Sequence, residues 1–424
     1  MAIHEPSSGG RRLGACRTWG VESENRPQRD QFLPDLQPNS RAIGQKDGEK
    51  WAAAVDLQPT IRKSDRLLVR RHRSRSLAAW LAGVLVFCGA QAWAQPSTAV
   101  HPFRVVGGLA GLSQYTRWEE PFWTRELPRL SGGRFRADIV PFDRAGVPGE
   151  EMLRLLQLGV VPFGTVLLSS LTASFPQYTA PDLAGLNPDI ASLRASVAAF
   201  RPYLEQTLRQ EQGVEMLALY VYPAQVLFCR KPLAGLSDLS GRRVRVSSAG
   251  QADFVSALGA APVHVAFAQI VRSMEAGSMD CAITGTMSGN TLGLHAITTH
   301  LHALPITWGL AIFGANRTAW EALPPDLQAI LRQELPRLEA SIWEESERDT
   351  VQGVACNSGA ATCTAGRKGQ MVVVPVSEQD ERRRQDIFQQ TVLPRWLQRC
   401  GPRCTDIWNQ TIGAARGLGT QKNP

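Results

Sequence analysis

Several motifs that identify common enzyme and cofactor-binding classes are missing from this sequence. No G-x-G-x-x-G turn or phosphate-binding loop follows a predicted strand, so we expect no nucleotide cofactor. The cysteines form no paired C-x-x-C motifs, which disfavours a zinc site. Ser169, Ser170, His264 and Asp280 supply the residue types of a hydrolase triad, yet neither serine lies in a G-x-S-x-G elbow. The sequence therefore predicts no cofactor, no metal and no enzyme.

Basic residues are also scarce where a nucleic-acid surface would need them. The chain of 424 residues has a formal net charge of +8, but residues 1–94 hold 15 basic and 9 acidic residues. Residues 95–424 therefore hold 31 basic and 29 acidic residues, a net charge of only +2. No dense basic patch with interleaved aromatic residues remains, so we expect no nucleic acid among the partners.

No apolar run reaches the roughly 20 residues that a membrane-spanning helix needs. The run LAAWLAGVLVFCGA, at residues 77–90, has 14 residues and follows four arginines at residues 70–75. It precedes Ala92-Trp93-Ala94, a small-x-small cleavage pattern. This order predicts a signal peptide over residues 67–94, cleaved between Ala94 and Gln95, and a periplasmic mature chain. A membrane anchor is the alternative.

Residues 1–66 precede this signal and show no sustained periodicity. They are rich in Pro, Arg, Gln, Ser and Asp, which favours a disordered leader or one that is not translated. No second methionine occurs before Met152, so an internal start would need a non-AUG codon near Leu67, Leu68 or Val69. We favour a misassigned start, and a real but disordered leader is the alternative.

Six cysteines would remain after removal of the signal peptide: Cys229, Cys281, Cys356, Cys363, Cys400 and Cys404. Export favours disulfides, but six cysteines allow 15 pairings. Cys356 and Cys363 bracket a polar turn, and Cys400 and Cys404 bracket Gly-Pro-Arg, so each pair is predicted to form a short bridge. Each bridge would stabilise the fold by roughly 2–3 kcal/mol. The state of Cys229 and Cys281 stays open.

Residues 95–424 alternate predicted strands and helices, which is typical of an α/β protein with parallel-rich sheets. Alternation of apolar and polar residues predicts a strand at 135–141, and helical periodicity predicts a helix at 191–212. Ligands in open α/β sheets bind beyond the carboxyl ends of strands. The other predicted strands of this part are 103–108, 163–168, 214–222 and 225–230.

The segment between Gly235 and Trp320 is the most informative part of the chain. A basic strand at 243–246 is followed by a helix that ends in Leu-Gly-Ala, a proline-containing strand at 261–265, a second helix, and a strand at 279–282. This order resembles the substrate-binding proteins of TRAP transporters, the DctP-type family of extracytoplasmic solute receptors.

Two motifs nearer the amino terminus are similar to the same family. They are SGGR at residues 131–134 and E-M-L-x-x-x-Q-x-G at residues 151–159. The resemblance covers residues 103–350 and continues more loosely to Asn409.

The resemblance implies the two-lobe fold of periplasmic binding proteins, with hinge strands and a ligand cleft between the lobes. Residues 95–230 are expected to form mainly lobe 1, and residues 231–305 mainly lobe 2. Residues 306–424 would return to lobe 1 and pack C-terminal helices across both lobes. The implied function is a monomeric periplasmic receptor that delivers an organic acid to the membrane permease subunits of a TRAP transporter. A ligand-sensing module for a membrane receptor is the alternative.

In that family, the strand G-[RK]-[KR]-[IV]-R-V places one arginine in the cleft to hold a substrate carboxylate. The matching residue is Arg245. A guanidinium presents paired donors that fit a carboxylate bidentately and stays charged at any working pH. Strand alternation puts Arg243 on the same face, so periodicity alone does not separate the two arginines.

The chain departs from the family pattern at two places in the expected cleft. No second arginine precedes the strand at 225–230, and the hydroxyl of Thr284 stands where the family pattern has an amide. Both changes reduce the polar contacts to a ligand and disfavour sialic-acid-like and C4-dicarboxylate substrates. Tyr222, Gln225, Thr284 and Trp308 favour a monocarboxylate with an apolar or aromatic body. The predicted ligand-binding residues besides Arg245 are Thr284, Gln225, Tyr222, Trp308, Ser169 and Ser170.

Overall fold

The computed structural model describes residues 101–420. The predicted leader, the signal peptide and the cleavage site after Ala94 lie outside these residues. Within residues 101–420, no helix is both long and apolar enough to cross a membrane.

The described chain forms two separate β-sheets, and its strands occur in the following order. They are β1 (His101–Gly107), β2 (Phe135–Pro141), β3 (Phe163–Leu167), β4 (Val214–Val221), β5 (Gln225–Cys229), β6 (Arg243–Val246), β7 (Ala261–His264), β8 (Cys281–Gly285), β9 (His300–Thr307), β10 (Leu310–Asn316) and β11 (Val372–Val374).

The first sheet has the strand order β2-β1-β3-β10-β4. Strand β1 pairs in parallel with β2 and β3, whereas β10 lies antiparallel between β3 and β4. The second sheet has the order β11-β9-β5-β8-β6-β7, with β6 parallel to both β7 and β8. We call the parts of the chain built on these sheets the first and second lobes. This is the mixed α/β, two-sheet architecture expected of the two-lobe fold.

Helices follow most strands and cover the sheets. The α-helices are α1 (Leu127–Leu130), α2 (Met152–Gln157), α3 (Ile190–Glu211), α4 (Ala249–Ala257), α5 (Ile270–Glu275), α6 (Thr286–Leu292), α7 (Leu294–Ile297), α8 (Arg317–Glu321), α9 (Pro325–Ser358), α10 (Glu378–Ile387), α11 (Leu393–Cys400), α12 (Pro402–Gln410) and α13 (Ile412–Arg416). Short 3₁₀ segments include Leu168–Leu171 and Pro176–Asp182.

Two of the connections between the lobes, residues 222–224 and 308–309, lie next to each other, and we call them the hinge. They are joined where the backbone N–H of Tyr222 donates to the carbonyl oxygen of Gly309 at 2.9 Å. The change of sheet occurs before β5, one strand earlier than the division predicted at residue 230. The domain boundaries themselves stay a prediction.

Helix α9 is 34 residues long, about 50 Å, and contacts both lobes. The indole N–H of Trp343 donates to the carbonyl oxygen of Leu219 in β4 at 2.8 Å. Nearer its end, the side-chain amide of Asn357 donates to the carbonyl oxygen of Thr286 in α6 at 2.9 Å. A Cβ at Gly353 would lie 2.2 Å from the backbone nitrogen of Met287, so only glycine permits this close packing of α9 on α6.

Apolar side chains of the described residues form one large cluster and three smaller ones, of which the smallest packs Met287 on the Cys356–Cys363 bridge. The large cluster includes Phe254 of α4 and Trp396 of α11, and so joins the second lobe to the C-terminal helices. A second cluster packs Trp123 and Phe313 on the first sheet, and a third contains Phe228 of the second sheet. The lobes are therefore in apolar contact beside the hinge.

Three disulfides stabilise the described residues. Cys356–Cys363 and Cys400–Cys404 are the two short bridges that the spacing predicts. The third, Cys229–Cys281, joins register partners on β5 and β8 across 52 residues of sequence. Its cysteines were left open by the sequence because strand pairing, not spacing, brings them together.

The strand predicted at 279–282 begins two residues later in the structure. The Asp280 carboxylate accepts the backbone N–H of Arg243 at 2.9 Å, while the Asp280 N–H donates to the Arg243 carbonyl oxygen at 2.8 Å. Asp280 therefore caps β6 with its side chain, and β8 starts only at Cys281.

Candidate functional site

Arg245 lies in β6 with only 5% of its surface exposed. Its Nε donates to the carbonyl oxygen of Val265 at 2.9 Å, and its Nη1 donates to the carbonyl oxygen of Ile283 at 2.7 Å. No carboxylate among the described residues lies within ion-pair distance of the guanidinium. Burial lowers the pKa of Arg245 to about 10, so the group remains charged at neutral pH. The second lobe thus holds a buried cation without an acidic partner.

Arg243 has the opposite environment, although it is only two residues away on the same strand. Its Nη2 and Nε donate to the Asp280 carboxylate at 3.0 and 3.2 Å. Its side chain is 45% exposed. The two arginines therefore differ in their surroundings, because Arg243 has a surface carboxylate partner and Arg245 has none among the described residues.

Thr284 shares the face of the second sheet on which Arg245 lies. Arg245 and Ala282 are register partners on β6 and β8, and Thr284 is two residues further along β8. Thr284 is buried, and its hydroxyl group forms no hydrogen bond to another described residue. A threonine hydroxyl without a hydrogen-bond partner among the described residues therefore lies on the same face of the sheet as Arg245.

A small cavity lies between the lobes beside the hinge. Its walls come from the segment after β3 in the first lobe, from the start of α4 in the second lobe, from the hinge itself, and from Trp396 and Arg399 of α11. Its volume is about 20 Å³, the space of about one water molecule. The polar residues that line it include Ser169, Asp182, Gln225, Ser247, Gln251 and Thr307.

Gln251 organises the polar side chains of this cavity. Its amide nitrogen donates to Gln225 Oε1 at 2.8 Å and to Thr307 Oγ1 at 2.7 Å. Its oxygen accepts the backbone N–H of Ser247 at 2.8 Å and the Ser247 hydroxyl at 3.1 Å. Both donors and both lone pairs of Gln251 are used, so its orientation is fixed and it fixes those of its neighbours.

Asp182 connects the cavity to the hinge. One carboxylate oxygen accepts the backbone N–H of Trp308 at 2.9 Å, and the other accepts that of Gly309 at 2.7 Å. Burial raises the pKa of Asp182 to about 7, because the two N–H donors only partly offset the loss of hydration. This carboxylate therefore positions the hinge and also forms part of the cavity wall.

Glu119 is a second buried carboxylate in the first lobe. Its Oε2 accepts the backbone N–H of Gly108 at 2.6 Å, and its Oε1 accepts the Thr165 hydroxyl at 3.2 Å. A Cβ at position 108 would lie 2.6 Å from that same Oε2, so only glycine allows the carboxylate to approach the end of β1. Burial raises the pKa of Glu119 to about 7.

Five of the seven predicted ligand-binding residues do not line the cavity: Arg245, Thr284, Tyr222, Trp308 and Ser170. The indole of Trp308 is 3% exposed, and its N–H donates to the carbonyl oxygen of Asn187 at 3.1 Å. Tyr222 packs in the core of the first lobe. The Ser170 hydroxyl donates to the carbonyl oxygens of Leu167 and Gly149 at 2.7 and 3.2 Å. The side chains of Trp308, Tyr222 and Ser170 make their hydrogen bonds or packing contacts within the protein. Ser169 and Gln225, by contrast, face the cavity.

Sequence reasoning missed the residues that shape this cavity. Ser248-x-x-Gln251 carries a capping-box-like signal, since Ser248 accepts the backbone N–H of Gln251 at 3.2 Å at the start of α4. That signal marks a helix start and not a binding site. Asp182 and Thr307 carry no motif at all, because only the packing of the lobes brings them together.

Catalytic and metal arrangements receive no support from the geometry. Asp280 is bonded to Arg243, and His264 is exposed at the end of β7, so neither joins the serines in a triad. Among residues 101–420, no three His, Cys, Asp or Glu side chains are grouped so that they could hold a metal ion.

Comparison with known families supplies an independent match. The family model described as bacterial extracellular solute-binding protein, family 7 (DctP), matches residues 119–382. This span includes the hinge, the strand that carries Arg245, and all the residues that line the cavity except Trp396 and Arg399.

Solved structures of similar proteins have the same fold. The extracytoplasmic solute receptor DctP7 of Bordetella pertussis, which binds pyroglutamic acid, is 20% identical, with a TM-score of 0.66 over 73% of this chain and 99% of that one. A TRAP periplasmic solute-binding protein from Rhodoferax ferrireducens, with bound malonate, is 18% identical, with a TM-score of 0.65 over 75% and 100%. One from Sulfitobacter sp. NAS-14.1, with bound β-D-galacturonate, is 16% identical, with a TM-score of 0.64 over 73% and 99%.

Proposed function

The chain belongs to the DctP family of bacterial extracellular solute-binding proteins, family 7, and we propose on that premise that it binds an organic acid through Arg245. The acid would be held between the lobes and delivered to the membrane permease subunits of a TRAP transporter. The chain would act in the periplasm as a monomeric receptor, without catalysing a reaction.

The environment of Arg245 carries this proposal. A buried charge is costly unless it is paired, and two backbone carbonyl oxygens supply dipoles but no counter-charge. A ligand carboxylate would supply the missing negative charge and accept from the remaining N–H groups of the guanidinium. Thr284 adds a hydroxyl donor on the same face of the sheet.

The ligands of structurally similar receptors support the same class of compound. The receptors from Bordetella pertussis, Rhodoferax ferrireducens and Sulfitobacter are described with pyroglutamic acid, malonate and β-D-galacturonate. The three compounds differ in size and polarity but share a carboxylate. We therefore propose that this chain also holds its ligand by a carboxylate.

A thermal-shift panel tests the proposal directly. A ligand that binds only the folded form stabilises it by RT ln(1 + [L]/Kd), about 2.7 kcal/mol at a hundredfold excess over Kd. We expect organic acids to raise the melting temperature of residues 95–424, and neutral sugars and amines to leave it unchanged. A rise with amines or neutral sugars, and with no acid, would contradict the proposed carboxylate site. Mass spectrometry of compounds that co-purify would identify the acid.

The proposed export has its own test. Material from the native host is expected to begin at or near Gln95 and to contain no free thiols at the six remaining cysteines. N-terminal sequencing and thiol labelling measure both properties. Recovery of a full-length cytoplasmic chain with free thiols would contradict the signal peptide.

A further inference from the structure

The three disulfides among residues 101–420 differ in how far solvent reaches them. In the Cys229–Cys281 and Cys356–Cys363 bridges, every cysteine is buried, with at most 8% of its surface exposed. In the third bridge, Cys404 is buried but Cys400 is partly exposed. Thiol–disulfide exchange requires that a thiolate reaches a sulfur atom, so access favours attack on the Cys400–Cys404 bridge.

The Cys400–Cys404 bridge also closes the shortest loop of the three. Its cysteines are 4 residues apart, against 7 and 52 residues in the other two bridges. A disulfide stabilises the fold less when the loop that it closes is short. Opening of this bridge therefore costs the fold least, and the protein can stay folded while it is open.

The bridge lies at the joint between two C-terminal helices. It connects the last residue of α11 to the start of α12 across the turn Gly401-Pro402-Arg403. In that turn, the guanidinium of Arg403 pairs with the carboxylate of Glu211, at the end of α3, at 2.7 Å. The α12 side of the bridge is thus fixed to the first lobe.

Helix α11 reaches the second lobe through two arginines. Arg395 and Arg399 both pair with the carboxylate of Asp253 in α4, at 3.2 and 2.6 Å. Asp253 is only 7% exposed, so the two guanidinium groups approach one buried carboxylate. Between them in sequence, the indole N–H of Trp396 donates to the carbonyl oxygen of Pro176 in the first lobe at 2.8 Å. Helix α11 is therefore bonded to both lobes.

The same helix forms part of the wall of the cavity beside the hinge, through Trp396 and Arg399. Arg399 is the residue directly before Cys400, so the bridge restrains the end of the helix that carries the closer ion pair with Asp253. The family match ends at residue 382, so α11 and its bridge are features of this chain outside that match. A shift of α11 would alter the ion pairs with the second lobe and the cavity wall together.

We propose that Cys400–Cys404 is a redox site and that its opening loosens the contact between α11 and the second lobe. A thiolate of a dithiol reductant attacks the Cys400 sulfur, and the Cys404 thiolate leaves. The second thiol of the reductant then attacks the mixed disulfide and releases the Cys400 thiolate. The cysteines gain two electrons and two protons, both from the dithiol, which becomes a disulfide. This inference goes beyond the proposed function and needs no ligand for its test.

Graded reduction of residues 95–424 in the oxidised state tests the redox site. Dithiothreitol is the reductant, an alkylating reagent traps free thiols, and peptide mass mapping assigns them. We expect Cys400 and Cys404 to be labelled at least about tenfold faster than the other four cysteines, while circular dichroism shows a folded protein. Earlier opening of another bridge, opening of all three at one rate, or no opening before the protein unfolds would overturn the proposal.

Hydrogen exchange followed by mass spectrometry tests the link to the second lobe. Reduction of Cys400–Cys404 should raise the exchange rates of amides in α11 and in α4 at least about threefold, because the ion pairs with Asp253 lose their restraint. Unchanged exchange in α4 would overturn the link, even if exchange in α11 rises.

Paired serine variants give the same comparison without a reductant. The variant with Cys400→Ser and Cys404→Ser should show the faster exchange in α11 and α4. The variant with Cys356→Ser and Cys363→Ser is the matched control, because it opens another short loop, at the end of α9. We expect the control to leave exchange in α11 and α4 unchanged. Equal effects of the two paired variants on α4 would mean that any lost bridge loosens the fold, and would overturn the proposal.

Discussion

The two lobes carry opposite kinds of buried charge. The second lobe holds Arg245, a buried cation that contacts only carbonyl oxygens. The first lobe and the hinge segment hold Glu119 and Asp182, buried carboxylates that accept N–H and O–H groups. Among residues 101–420, none of these three forms an ion pair.

The buried groups differ in whether they keep their charge at neutral pH. The pKa values of both carboxylates rise to about 7, so they can take up a proton near neutral pH and lose their charge. Arg245 has a pKa of about 10 and keeps its charge. Of these three groups, only Arg245 keeps its full charge through neutral pH. The lobes therefore differ in how much of their buried charge they retain.

The largest effect is expected when the unpaired cation is removed. Arg245→Ala would leave a desolvated ligand carboxylate without its partner and should cost roughly 2–5 kcal/mol of affinity. Arg245→Lys should recover only part of this loss, because a point charge does not reproduce the planar fork of a guanidinium. Calorimetric titration of the identified acid measures each variant.

Arg243→Ala is the matched control for that experiment, because Arg243 shares the strand and the charge but is paired with Asp280 at the surface. We expect its affinity for the acid to equal that of the unmodified chain. Loss of binding in Arg243→Ala, with normal binding in Arg245→Ala, would show that Arg243 and not Arg245 holds the carboxylate.

A second prediction separates the effect of the Arg245 charge on binding from the effect of the Cys229–Cys281 disulfide on stability. Replacing Cys229 and Cys281 by alanine removes a bridge across 52 residues and should lower the free energy of unfolding by about 4 kcal/mol through loop-closure entropy. Denaturant titration measures this loss. The same change at Cys356 and Cys363, only 7 residues apart, should cost roughly 2–3 kcal/mol. If affinity at low temperature fell in parallel with stability, binding would depend on the rigidity of the sheet and not on Arg245 alone.

The carboxylates of the first lobe predict a dependence of stability on pH. An acid whose pKa is raised by folding binds protons more tightly in the folded than in the unfolded state between about pH 4.5 and 7. The free energy of unfolding should therefore fall as pH rises through this window, by at most about 1.4 kcal/mol per pH unit for each group, and level off above it.

Amide variants isolate the two groups responsible. Glu119→Gln and Asp182→Asn cannot titrate, so each should flatten the slope of stability between pH 5 and 7. Chemical denaturation at a series of pH values measures the slope. An unchanged slope in both variants would mean that other groups produce the dependence on pH.

Local patterns in the sequence predicted the strands and helices around the site better than the polar residues that line the cavity. The strand Arg243–Val246 and the family match were readable because their residues are adjacent in sequence. The cavity was not readable, since Asp182, Gln251 and Thr307 come from three distant segments and meet only when the lobes pack. The surroundings of Trp308 were not readable from the sequence either. Its aromatic character suggested a ligand contact, but its N–H is bonded to Asn187 inside the core.

The smallest expected effect comes from the hydroxyl group that shares the face of Arg245. Thr284→Val keeps the shape of a buried side chain and removes a hydroxyl that has no partner among the described residues, so stability should be unchanged or slightly higher. If Thr284 donates to the carboxylate beside Arg245, affinity for the acid should fall by about 1 kcal/mol. The loss should disappear in the Arg245→Ala background, because both groups would serve one carboxylate. Additive losses in the double variant would place Thr284 outside the carboxylate site and leave Arg245 as the main determinant of the anionic side of the cleft.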